Sequence, residues 1–157
     1  MSLIKVKEYL KKYGYGDRIM EFTLPTGTVE EASHELKCTP GEIAKSLSFL
    51  INDEPIIIVV KGDNKVDNHK FKETFKVKAK MIDRGSVEEL TGHAPGGVCP
   101  FGLNDNVKVY LDVSLKQYNY VYPACGSGNS AIKLSLDELE KLSNFIDWID
   151  VTKEPEM

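Results

Sequence analysis

The chain has 157 residues, within the roughly 100 to 200 that a single domain occupies, so a two-lobed enzyme is disfavoured. Hydrophobic residues make up 41% and charged residues 28%, a balance that supports a packed core and excludes disorder over most of the length. Lys plus Arg number 20 against 24 Asp plus Glu, a net charge of −4, whereas a protein that grips DNA or RNA backbones unaided is normally basic.

No apolar run approaches the roughly 18 to 20 residues that cross a bilayer, and the longest candidate, 56–60, has the length and β-branching of a buried strand. Residues 1–13 alternate apolar side chains with lysines and lack the apolar stretch and cleavage site of a signal peptide, so a cytoplasmic protein with no membrane partner is expected. Cys38, Cys99 and Cys125 are odd in number and far apart. They form neither a CxxC pair nor a disulfide framework and read as reduced thiols.

Leu3, Val6, Tyr9 and Leu10 recur at helical spacing and predict a first helix over 2–13, stopped at Gly14. Thr28 and Glu31 form a capping box, in which hydroxyl and carboxylate satisfy each other's backbone donors. They open a second helix that presents Val29, Ala32 and Leu36 and runs to about Lys37. Thr39, Pro40 and Gly41 start a short helical turn, after which 46–51 reads as a strand, 52–55 as a turn and 56–60 as the hairpin partner. Asp67 is placed to cap a helix carrying Phe71 and Phe75, and Val77, Ala79 and Met81 alternate with Lys78 and Lys80 as a half-buried strand does. Ser86 and Glu89 repeat the capping-box pattern. Beyond a Gly/Pro-rich loop over 92–102, short strands are predicted at 107–111, 118–122 and 131–134. Ser135 and Glu138 then box a last helix bearing Leu136, Leu139, Leu142 and Phe145. Past Trp148 the acidic tail is expected to fray. Interspersed helices and strands, several joined by tight hairpins, predict one α+β (mixed α/β) domain over 1–150 with a mixed sheet, followed by an acidic tail over 151–157.

Several chemistries lack their required groups. There is no GxxxxGK[ST] phosphate loop, no GxGxxG opening a helix, and no HExxH, so no nucleotide cofactor is expected. His34, His69 and His93 have no ligand spacing, and no metal is predicted. Ser127 lies between glycines without a GxSxG elbow or the following His and Asp of a hydrolase triad. Cys99 lies in the Gly/Pro loop with no local base, and a Cys99-dependent esterase is a rival that thiol alkylation would detect.

Two features survive. Lys45 stands where a helical turn passes into the alternating strand Leu47, Phe49, Ile51; partly buried there, its ammonium is a compact donor to a carbonyl or phosphate oxygen, with a lowered pKa. Taken alone, a strand-start lysine ordinarily reaches solvent. Gly96-Gly97-Val98-Cys99-Pro100-Phe101-Gly102 packs three glycines and a proline into seven residues, which allows close backbone approach and lets N–H groups face a ligand.

These segments, with Thr28-Val29-Glu30-Glu31-Ala32, Ile43-Ala44-Lys45-Ser46-Leu47, Gly62-Asp63, Val66-Asp67 and Glu89-Leu90-Thr91-Gly92, resemble the YbaK family of aminoacyl-tRNA deacylases. That family includes the editing insertion of bacterial prolyl-tRNA synthetases. The resemblance implies a curved, barrel-like mixed sheet flanked by helices. It also implies a trans-acting hydrolase of the ester on a mischarged tRNA, with Cys or Ala on tRNA-Pro the first candidates. The family's lysine falls on Lys45 and its GxxxP loop on Gly96, Gly97, Val98, Cys99 and Pro100, so loop N–H groups would hold the carbonyl while Lys45 polarises the aminoacyl end. Phe22, Ser46, Phe101, Gly102 and the turn Cys125-Gly126-Ser127 would line the substrate; many relatives have two glycines where this chain has Cys125-Gly126. The implied partners are the aminoacyl-tRNA 3′ end and a prolyl-tRNA synthetase, with no cofactor. Residues 61–80 hold seven lysines against three acidic residues, and Lys61, Lys65, Lys70 and Lys72 are the candidates for the acceptor stem. A binding module of the same fold without turnover is the alternative.

Overall fold

In the computed structural model, which describes residues 2–155, the chain begins with α1 (Ser2–Lys11), whose Val6 and Leu10 are fully buried. The short β1 (Met20–Glu21) follows, then α2 (Val29–Leu36), capped by Thr28 and Glu31 as the sequence predicts: Glu31 N donates to Thr28 Oγ1 and Thr28 N to the Glu31 carboxylate, both at 3.1 Å. β2 (Ile43–Ile51) and β3 (Glu54–Lys61) form a hairpin closed by Asn52 and Asp53, both at positive φ (51° and 66°), the tight two-residue turn that matches strand twist.

The remaining elements are β4 (Lys65–Val66), α3 (Asn68–Phe75), α4 (Val87–Thr91), β5 (Lys108–Asp112), β6 (Tyr120–Pro123), β7 (Ser130–Ala131), β8 (Leu134–Ser135), α5 (Leu136–Ser143), β9 (Trp148–Ile149) and β10 (Thr152–Lys153). The main sheet is mixed and curls into a half-barrel, in the order β8-β6-β2-β3-β5-β9, with β2 antiparallel to β3 and both β2–β6 and β3–β5 parallel. β3 explains its own unbroken apolar run. Ile57 and Val59 face a core with α1, α5 and Leu111, while Ile56, Ile58 and Val60 face a second core with Phe49, Phe71 and Val151. A central strand buried on both faces has no reason to alternate. Each such side chain contributes about 1.5 to 3 kcal/mol of burial.

The structure departs from the sequence reading in four places before the tail, and again in the tail itself. β2 begins at Ile43 rather than at 46, so Lys45 stands inside the strand, opposite Val60. The segment 77–81 is not a strand; it makes one bridge, Phe49 to Met81, because β2 offers it only the edge bonds of Ser48 and Leu50. Ser86 caps nothing: its backbone is near-helical (φ −109°, ψ −7°) and its N–H is bonded to Asp83 O, so the extended geometry of a cap is lost. The strand at 131–134 appears as β7 and β8, which share one register against 120–124 (Ala124 to Ala131, Tyr120 to Ser135). The ladder is interrupted where Pro123 accepts from Ile132 but has no N–H to return.

The tail is ordered over its described part; residues 156 and 157 lie outside the described residues. β9 joins β5, β10 pairs with β4, and Val151 is fully buried. The cause is Asp112, fully buried at the end of β5. Its carboxylate accepts from Val151 N at 2.8 Å, Thr152 Oγ1 at 2.7 Å and Ser114 N at 3.1 Å. A buried carboxylate needs such donors, and the tail supplies two of them.

Candidate functional site

A cavity of about 130 Å³ opens between the start of α2, the first residues of β2, the 96–98 loop and the ends of β6 and β7. Two close approaches shape it. Thr26 N donates to Gly128 O at 2.7 Å, and a Cβ on Gly27 would lie 3.5 Å from the Gly96 Cα and 3.7 Å from the Gly128 Cα. A Cβ on Gly97 would come within 2.6 Å of the Gly126 carbonyl carbon, so this backbone contact requires glycine. Gly96 and Gly126 adopt positive φ (89° and 92°), the left-handed region open to glycine. The glycine-rich loop and the Cys125-Gly126-Ser127 turn are therefore neighbours in space, although 27 residues lie between Gly97 and Cys125 in the chain.

Of the residues that the sequence singles out, Lys45, Ser46, Gly96 and Val98 line this cavity. Gly97, Gly126 and Ser127 pack against one another beside the lining residues rather than face the cavity, and Pro100 lies at a separate surface depression with Tyr9 and Gly102. Gly97 N is committed to Ala94 O (3.0 Å) and Pro100 has no N–H, which leaves Gly96 and Val98 as the residues of the loop that line the cavity. Ser127 Oγ bonds Ser130 Oγ at 2.6 Å and Asn129 Oδ1 at 2.9 Å, which makes it a turn residue. Phe22 stands just past β1, tied by its backbone to Asn129. Phe101 is buried beneath the loop against Tyr9 (centroids 6.2 Å apart), and Gly102 abuts Lys5 of α1.

Cys99 and Cys125 are fully buried in the core. Burial pushes the Cys99 thiol up to about 12, and the only imidazole beside it among the described residues is the wrong kind of partner. His93 Nε2 donates to Phe101 O at 2.6 Å, a carbonyl that can only accept, so the nitrogen 3.6 Å from Cys99 Sγ carries a proton and cannot take another. A thiolate nucleophile has neither access nor a base here.

Lys45 is half-buried, with Nζ donating to Asn64 O at 3.0 Å. Burial lowers its pKa and the nearby Asp63 carboxylate offsets part of that. Two hydroxyls of residues lining the cavity, Thr26 Oγ1 and Ser46 Oγ, are buried with no hydrogen-bond partner among the described residues. Ile43, from the same segment as Lys45, also lines the cavity, as do Thr26, Tyr122, Ala124 and Ser130, which belong to no motif and are gathered by the curl of the sheet.

The basic face is smaller than its lysine count. Lys61 is 6% exposed and pairs with Glu154 at 2.6 Å and Asp63 at 3.6 Å. Burial opposes its charge, but the Glu154 hydrogen bond and the two carboxylates outweigh this and raise its pKa. Lys61 is thus a structural cation, not part of the exposed face. Lys70 binds Asp150 at 3.0 Å and Thr152 O at 2.8 Å, while Lys65 and Lys72 are exposed.

A family model described as the aminoacyl-tRNA editing domain matches residues 23–142. The chain belongs to the aminoacyl-tRNA editing domain family. It is 46% identical over 155 residues to the uncharacterised protein YwhH of Bacillus subtilis (strain 168), covering 98% of this chain and 99% of that one. A protein of Enterococcus faecalis (strain ATCC 700802 / V583), named as a candidate Cys-tRNA(Pro)/Cys-tRNA(Cys) deacylase, is 26% identical over 119 residues, covering 74% of this chain and 73% of that protein. Among solved structures, a candidate trans-editing enzyme for prolyl-tRNA synthetase superposes with a TM-score of 0.86 at 29% identity, covering 97% of both chains. This editing domain has the α+β fold and half-barrel sheet of that structure. Among the described residues no helix is long and apolar enough to cross a membrane, and no three His, Cys, Asp or Glu side chains gather as a metal site would require.

Proposed function

We propose that this editing domain acts in trans as an aminoacyl-tRNA deacylase, hydrolysing the ester between a small amino acid and the terminal ribose of a mischarged tRNA, with cysteine or alanine on tRNA-Pro the first candidates. The observation that carries it is a cavity lined by Lys45, whose ammonium donates to Asn64 O, together with Gly96 and Val98 of the glycine-rich loop. An aminoacyl ester is already activated, so positioning and stabilisation of the oxyanion suffice without a strong protein nucleophile. Water, or a hydroxyl or thiol of the substrate, attacks the carbonyl carbon. The Gly96 and Val98 amides and Lys45 hold the oxygen that becomes negative, the bond to the ribose oxygen breaks, and that oxygen takes the proton. With water the products are free amino acid and intact tRNA; a substrate nucleophile leaves an intermediate that water opens. Editing is needed because a synthetase pocket discriminates one methylene by only about 1 to 3 kcal/mol. A prolyl-tRNA synthetase is the partner that would present the tRNA, which agrees with a chain too acidic to hold tRNA strongly by itself.

The test is release of amino acid from a panel of aminoacyl-tRNAs, Cys-tRNA-Pro and Ala-tRNA-Pro first, by wild type and Lys45→Ala. Turnover by wild type and a loss of about 100-fold or more in the variant is expected, the scale of losing an oxyanion donor. A folded wild-type protein that releases nothing from any substrate would instead be a binding module.

A further inference from the structure

Lys45 does not hold its position by itself. Among the described residues its Nζ donates to the main-chain oxygen of Asn64, in the turn that follows β3, and that turn is fastened to the end of the chain. Asn64 Nδ2 donates to Thr152 Oγ1 at 3.0 Å, and Thr152 Oγ1 donates to Asp112 Oδ2 at 2.7 Å. Asn64 and Thr152 are each 3% exposed and Asp112 is fully buried. β10 pairs with β4 on the far side of the same turn, and Asp67 N donates to Val151 O at 2.8 Å. The family model matches residues 23–142, so Val151 and Thr152 lie outside the matched segment.

We infer that Asp112, Thr152 and Asn64 form a buried hydrogen-bonded chain that positions the Lys45 ammonium over the cavity, making the C-terminal strand part of the site. This rests on the reading of Lys45 as the functional cation. The direction of each bond supports the assignment. Asp112 only accepts, so the Thr152 hydroxyl hydrogen points to it and leaves the hydroxyl's lone pairs for the Asn64 amide. With the side chain of Asn64 held, its carbonyl has one orientation, and one of the three ammonium hydrogens is fixed on it while two remain for a ligand. A displacement of about 1 Å at such a group can cost about 100-fold in rate. None of the three residues touches substrate; they are positioning residues.

Asn64→Ala is the gentle cut, since Thr152 keeps its bond to Asp112. Thr152→Val removes both links, and Thr152→Ser restores them. Folding of each is checked by its melting transition, and kcat and KM are measured separately on the aminoacyl-tRNA that wild type hydrolyses. For Asn64→Ala and Thr152→Val the expected result is a kcat reduced at least 10-fold with KM within about two-fold of wild type, and recovery to near wild type in Thr152→Ser. A folded Asn64→Ala with wild-type kcat overturns the chain, whether or not Thr152→Val folds. Loss of kcat in Thr152→Ser as well assigns the effect to packing and also overturns it. Lys45→Ala run in parallel separates the two ideas: if it is inactive while Asn64→Ala is fully active, only the positioning chain falls. If Lys45→Ala retains turnover, the functional reading falls and takes the chain with it.

Discussion

Gly97 shows how a single residue sets the geometry of the cavity. The atoms that crowd it belong to the Gly126 and Ser127 backbone, at 2.6 to 2.8 Å from where a Cβ would stand, and backbone cannot rotate away as a side chain can. Gly97→Ala is expected to lower the melting temperature, with an overpacking cost of about 1 to 3 kcal/mol, and to slow deacylation by pushing the Gly96 and Val98 amides outward. Gly85→Ala is the comparison, because nothing lies within 4 Å of its Cβ position. Differential scanning calorimetry with a deacylation assay checks both, and equal melting curves for the two variants would refute the steric account. The glycine run around Gly97 is visible in the sequence because few other roles demand three glycines and a proline so close together. Its counterpart, Thr26 with its buried hydroxyl, is invisible there, since a lone threonine carries no sign of what will surround it.

At the level of elements, α5 illustrates how a local signal is reinforced from outside. Ser135 and Glu138 form the capping box that their spacing predicts, with Glu138 N to Ser135 Oγ at 3.2 Å and Ser135 N to Glu138 Oε1 at 2.9 Å. Arg18, more than a hundred residues earlier, then grips both oxygens of Glu138 at 2.6 and 3.2 Å. The Arg18 hydrogen bonds, against the opposing effect of burial, bring the Glu138 carboxyl from its ordinary 4.5 down to about 2. Because the unfolded chain takes up this proton first, the pair contributes stability above pH 4.5, and the contribution is lost as pH falls from there through about 2. Arg18 is 40% exposed, so solvent screening holds the effect to the order of 1 kcal/mol. Glu138→Gln keeps a residue suited to the capping box and removes the charge. It is expected to melt about 2 to 4 °C lower than wild type at pH 7, with the gap closing towards pH 2. A gap that stays constant with pH would mean that the ion pair is not its source.

For the molecule as a whole, charge distribution and chain closure matter more than net charge. Lys65 and Lys72 are exposed, whereas Lys61 is buried in an ion pair and Lys70 is held by Asp150. Reversing Lys65 and Lys72 to Glu is therefore expected to raise KM for tRNA several-fold and flatten its salt dependence, with kcat little changed, while Lys70→Glu adds less. Steady-state kinetics at two salt concentrations test this, and an unchanged KM would remove the face from tRNA binding. The sequence alone determined the helix caps at Thr28, Asp67 and Ser135, the β2–β3 hairpin, the mixed α+β class and the two segments around Lys45 and Gly97. These depend on residues within a few positions of one another, where propensity and spacing act directly. The tertiary structure alone decided that the tail would pair with β4, that Lys61 would turn inward to Glu154, and that Thr26, Tyr122 and Ser130 would share a cavity with Lys45. Each of those outcomes depends on satisfying a buried polar group or closing a curved sheet with a partner far along the chain, and a local pattern holds no record of such partners.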